Sequence, residues 1–81
     1  RGTIDESPVY VREIATRALL TNAKSVILAH NHPSGAVNPS RADIETTKKI
    51  KDALAMLNID LLDHIIIGHD QTYSMADKGQ I

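Results

Sequence analysis

The residues best suited to chemistry sit close together in the chain. His30-Asn31-His32-Pro33 is followed by Ser40-Arg41-Ala42-Asp43, with ten residues between His32 and Asp43. Side chains at i and i+2 of an extended segment share a face, and their Cα atoms stand about 7 Å apart. Imidazoles at that separation can converge on one zinc ion at about 2.0–2.1 Å from each nitrogen. Pro33 stops the strand, and the ten-residue loop is long enough to return a carboxylate from a helix start. His30, His32 and Asp43 are therefore the expected metal ligands and Zn2+ the expected cofactor. Two imidazoles and one carboxylate leave a fourth position open to water, which is the pattern of a catalytic zinc rather than a closed structural one.

Each residue also has a plainer role. Ser40 with Asp43 three positions later matches a helix capping box, where an acidic side chain is favoured by the helix dipole. On those four residues alone, capping is the simpler reading, and an isolated His-x-His is weak evidence of a metal. The full combination of HxHP, a Gly-containing loop and SxxD carries more. Capping and ligation are also compatible, because a carboxylate in the first turn can point outward.

The elements that must hold these residues follow from periodicity. Residues 2–7 are short and mixed and can end a strand, and Pro8 marks a boundary. From Val9 the pattern is helical, with Val11, Ile14, Ala15, Ala18 and Leu19 on one face and Asn22 as the stop. Residues 25–29 (SVILA) form a β-rich apolar run that predicts a buried strand leading straight into His30. Residues 31–39 carry loop chemistry. Ser40 opens a second helix striped by Ile44, Thr47, Ile50, Leu54 and Leu57, reinforced by Ala53 and ended by Asn58. Residues 59–68 (IDLLDHIIIG) predict a second buried strand, residues 68–71 a turn, and residues 72–75 a short final strand. Strand, helix, strand, helix, strand, strand argues for an α/β sandwich.

Composition bounds the function. Eighty-one residues make one small domain, with an aliphatic core, since there is no Phe or Trp and only Tyr10 and Tyr73 are aromatic. A formal charge of −1 and the lack of stacking aromatics argue against direct nucleic-acid binding. With no cysteine there is neither a disulfide framework nor a thiolate ligand. No apolar run is long enough to span a bilayer and no signal peptide is visible, so the expected location is the cytoplasm. The chain begins at Arg1 without a methionine and reads as a piece of something longer.

The combination HNHPSG (30–35), PSRAD (39–43) and LLDHIIIG (61–68) resembles the RadC family of bacterial proteins, within the JAMM or MPN+ metallopeptidase class. Residues 2–19 resemble the stretch that precedes HNHPSG in that family, so the likeness spans essentially the whole chain as a single RadC-like JAMM domain, its C-terminal portion. The resemblance implies a three-layer-like sandwich of a mixed sheet flanked by helices, cytidine-deaminase-like, lacking one or two N-terminal strands. It implies that His30, His32 and Asp43 ligate zinc and that Ser40 is the catalytic residue that hydrogen-bonds the developing oxyanion. Zinc would lower the pKa of its water toward about 7 and polarise the scissile carbonyl. The reaction implied is hydrolysis of a peptide or isopeptide bond in a peptide or protein substrate.

The class also uses a glutamate base on a strand well upstream of HxHP, in a region that would precede Arg1. Glu6, Glu13 and Glu45 do not match that position. His64 matches a family position and reads as a structural residue or one that orients a ligand. His69 reads as an exposed turn residue, and Asn31 as pointing away from the ligands. The alternatives to the hydrolase are a non-catalytic JAMM-like scaffold and a DNA-repair-associated module, the latter from the family's historical link. A homodimer stays open.

Overall fold

The computed structural model describes residues 7–32 and 35–81. The strand expected before Ser7 lies outside the described residues. Five elements follow in order: α1 (Ser7–Leu20), β1 (Ser25–Asn31), α2 (Arg41–Met56), β2 (Asp60–Ile67) and β3 (Thr72–Ser74). β1 pairs in parallel with β2, and β2 antiparallel with β3. This is the expected α/β class with a mixed sheet.

Pro8 is not a boundary but part of the first turn of α1. Proline is tolerated there because the first-turn N–H groups have no helical partner to lose. Both helices end as their asparagines suggest. Asn22 and Asn58 adopt left-handed backbone, with φ of 58° and 60°. The N–H groups of Asn22 and Ala23 then donate to the carbonyls of Leu19 and Ala18, and those of Asn58 and Ile59 to Ala55 and Leu54. This double bond pattern satisfies carbonyls that would otherwise face outward and turns each chain directly into a strand. Ala18, Leu54 and Ile59, the residues at these two ends, meet in the core.

That core joins Ala18 of α1, Ile50 and Leu54 of α2, and Ile59 and Leu61 around β2, with Val26 and Leu28 of β1 packed against it. Leu54 is 1% exposed, and burying such a side chain contributes about 1.5–3 kcal/mol. The strands are narrower in their burial than expected. β1 alternates strictly between exposed and half-buried residues, so only one face is covered. A register shift between Val26 and Ile27 places two residues, Leu62 and Asp63, where one would pair, after which His64 stands opposite Leu28 and Ile66 opposite His30. Such a bulge resets which residues face the helices. On the other face, Ile27 is 58% and Leu62 51% exposed, and no described element covers them. Leu19 and Leu57, expected on the apolar helix faces, are likewise exposed. β1 runs on to Asn31, past the expected end at Ala29.

This division predicts unequal responses to substitution. Leu54→Ala should lower unfolding stability by about 2–5 kcal/mol through cavity formation, whereas Ile27→Thr should change it by no more than about 0.5 kcal/mol. Urea titration followed by circular dichroism measures both.

Candidate metal centre

His30 is the sixth residue of β1 and faces the helices. His32 follows the strand, yet its backbone N–H donates to the Ile67 carbonyl at 3.0 Å. The ladder thus continues one bond past Asn31, and His32 keeps the strand's alternation and lies on the same side as His30. Their ring centroids are 4.8 Å apart. Asn31, between them, is exposed.

The loop that follows folds back on His32. Its carbonyl accepts from Gly35 N–H at 2.9 Å, and its Nδ1 lies 2.7 Å from the Ala36 carbonyl oxygen. Gly35 has φ +85°, a conformation open chiefly to glycine. The loop presses on the exit of β2: a side chain at Gly68 would run into the Gly35 carbonyl and, at 2.7 Å, into Val37 Cγ1, and one at Gly35 would meet the His69 ring. His69 is exposed, as expected, but it also covers Gly35.

Asp43 arrives from the first turn of α2, where both halves of the capping box are formed. Ser40 Oγ accepts from Asp43 N–H at 3.0 Å, and Asp43 Oδ2 accepts from Ser40 N–H at 3.0 Å. The carboxylate still faces the histidines, with Oδ2 3.8 Å from His32 Nε2. Partial burial opposes its ionisation. The Ser40 N–H and hydroxyl, with the His30 and His32 rings nearby, outweigh that and hold the carboxyl below the ordinary range.

One donor atom from each of His30, His32 and Asp43 can be chosen so that all lie within 4.8 Å of one another, and all three residues are half-buried. Donors on one tetrahedral zinc stand about 3.3 Å apart, so side-chain rotations that bring them closer by up to about 1.5 Å would let them share one ion. The residues fit a zinc ion by chemistry as well: an ionised carboxylate and two imidazoles, each with its Nδ1 already engaged. A cleft of about 450 Å³ opens beside them, walled by His30, Asp43, Tyr10, Ile14, Leu28 and Ile50. Glu13 and Glu45 are exposed and do not line it; Glu6 lies outside the described residues.

Sequence reading gave His64 a supporting role without naming its partners. Its Nε2 lies 2.8 Å from His30 Nδ1, and its Nδ1 2.7 Å from Thr47 Oγ1. Burial and the adjacent His30 ring hold His64 below the usual imidazole range, favouring its neutral form. Thr47 was read only as part of an apolar stripe. It is buried, and its hydroxyl also reaches the Asp43 carbonyl oxygen at 2.7 Å. The available signal was a hydroxyl on an otherwise aliphatic stripe, one turn beyond Asp43. Asp63 was also missed. Its carboxylate accepts from the N–H groups of His64 and Ala76 and from the Ser74 hydroxyl, tying β2 to β3 and the turn after it.

The chain matches the family model described as the RadC-like JAB domain over residues 1–80. It is similar to a UPF0758 protein of Nitrosococcus oceani, 56% identical over 79 residues, covering 98% of this chain and 35% of the relative. A UPF0758 protein of Marinobacter nauticus is 52% identical with the same coverage, and one of Nitrosomonas eutropha is 49% identical over 81 residues, 36% of its length. The chain therefore spans about a third of the length of these relatives.

The clamp made by Asp63 has a pH signature. Burial works against its ionisation, but the bonds from Ser74, Ala76 and His64 prevail and its carboxyl is held below 3.8. A depressed folded-state pKa contributes stability that is present above the unfolded value and lost as pH falls through the folded one. Stability should therefore decline as pH drops below about 4, and Asp63→Asn should lower stability at pH 7 while flattening that acid limb. Urea titrations at stepped pH read both effects.

Proposed function

The chain belongs to the RadC-like JAB domain family, and from that premise we propose that it forms the zinc-binding part of a hydrolase acting on peptide or isopeptide bonds. The observation that carries this reading is the convergence of His30, His32 and Asp43 beside an open cleft. His30 and His32 would hold the ion through Nε2, since Nδ1 of each is engaged elsewhere. Asp43 would hold it through its ionised carboxylate. A bound zinc supplies a water of lowered pKa and a Lewis acid for the carbonyl under attack.

The chain's own residues do the rest. The capping box fixes the Asp43 carboxylate before any ion arrives, so little rotamer freedom is lost on binding. Ser40 Oγ accepts from Asp43 N–H, and its single hydroxyl proton, which in the free site leans toward the Asp43 carboxylate, is available to a stronger acceptor. In this reading it goes to the negative charge that develops on the carbonyl oxygen, a form of stabilisation that acts most strongly in the transition state. The cleft, with Ile14, Leu28 and Ile50 in its wall, excludes water from one side of the reacting bond. No glutamate among the described residues lines the cleft.

Dialysed, purified protein should carry close to one zinc per chain by elemental analysis, and His32→Ala should carry essentially none. Wild-type protein that retains no zinc after metal-replete purification would contradict the proposal. For turnover, the intact protein should cleave peptides in a zinc-dependent manner that Ser40→Ala slows by about 10²–10³-fold. Full zinc occupancy with no cleavage of any peptide or isopeptide would favour the non-catalytic scaffold instead.

A further inference from the structure

Asp43, Thr47, His64 and His30 form a chain of contacts whose protons fit in one direction. The Thr47 hydroxyl lies 2.7 Å from the Asp43 backbone carbonyl oxygen. Two oxygens at that distance attract only with a proton between them, and a carbonyl has none to give. Thr47 is therefore the donor. A hydroxyl has a single proton, so in its 2.7 Å contact with His64 Nδ1 Thr47 accepts, and His64 carries its N–H on Nδ1. An uncharged His64 then has a bare Nε2. Its 2.8 Å contact with His30 Nδ1 is donated by His30. The His30 ring is left with its lone pair on Nε2. With the opposite arrangement, a proton on His64 Nε2 would force His30 to accept at Nδ1 and to carry its own proton on Nε2, where no ion could bind.

We propose that Thr47, acting through His64, selects the tautomer in which His30 offers Nε2 to a metal ion, making Thr47 and His64 positioning residues of the centre. The relay starts on the backbone of one ligand, Asp43, and ends on the ring of another, so the first turns of α2 and the end of β1 are set jointly. His32 needs no such relay, because the Ala36 carbonyl accepts its Nδ1–H directly. This inference rests on the reading of the three residues as a metal centre.

The test uses the 15N-labelled intact chain, metal-free and near pH 8, above the ordinary imidazole value of about 6.5. Long-range 1H–15N correlation spectra assign the protonated nitrogen of each ring. The wild type should show His30, His32 and His64 all protonated on Nδ1. Thr47→Val should move His64, and with it His30, toward Nε2–H and weaken zinc binding about 10- to 100-fold. Thr47→Ser, which keeps the hydroxyl, should restore both the ring pattern and the affinity, and serves as the reference should the valine variant fail to fold. A wild-type His64 protonated on Nε2, or a folded Thr47→Val protein with unchanged ring protonation, overturns the proposal. Wild-type spectra with the expected tautomers in a protein that takes up no zinc would support the relay while contradicting the metal reading beneath it.

Discussion

Two parallel strands cannot be joined by a tight turn; the chain leaving one must cross over to the start of the next. Here the crossover is α2, between β1 and β2. The last residues of β1 and the first turn of α2 are thereby brought to one end of the sheet, whatever side chains they carry. Sites in sheets of this kind collect beyond the carboxyl ends of the strands for the same reason. His30 and His32 occupy the strand end and Asp43 the helix start, so the topology performs the convergence and the loop between them only has to be short and well anchored. Its anchors are the His32 contacts with Gly35 and Ala36 and the close approach of Gly35 and Val37 to Gly68.

Asp43 serves two ends at once. A carboxylate in the first turn of a helix is favoured by about 0.3–1 kcal/mol through the dipole, and the Ser40 N–H gives it a further partner. The same oxygen faces His32. As a metal ligand, this carboxylate would be held ionised and in place by the helix itself, the preorganisation that a weakly buried site on a small domain requires. Polar groups deeper in the fold are equally well matched. Thr47, His64 and Asp63 each find partners, and no buried side-chain nitrogen or oxygen among the described residues is left unsatisfied. Orphaned polar groups are costly in a core this size.

Much of this was legible in the sequence, and the exceptions share a cause. The two helices, their asparagine stops and the Ser40–Asp43 cap were readable because each depends on residues within a few positions of one another. The grouping of His30, His32 and Asp43 was readable because spacing along a strand and a helix start are local facts too. Thr47, by contrast, takes its meaning from His64, seventeen positions away, and His64 from His30 across the sheet. Asp63 reads as an ordinary strand residue until Ser74 and Ala76 are folded against it. The burial of the strands was overread because an apolar run such as IDLLDHIIIG does not reveal the bulge at Leu62 that decides which residues face the helices. Leu19 and Leu57 were overread for a similar reason: periodicity identifies a stripe, not how far packing extends along it.

In the proposed centre, two imidazoles from the end of β1 and one carboxylate from the start of α2 hold a single ion. X-ray absorption at the zinc edge of the metal-loaded chain tests it directly. The expected spectrum has four nitrogen or oxygen neighbours at about 2.0–2.1 Å, with the outer-shell scattering of two imidazole rings. A shell with one imidazole or none would contradict it.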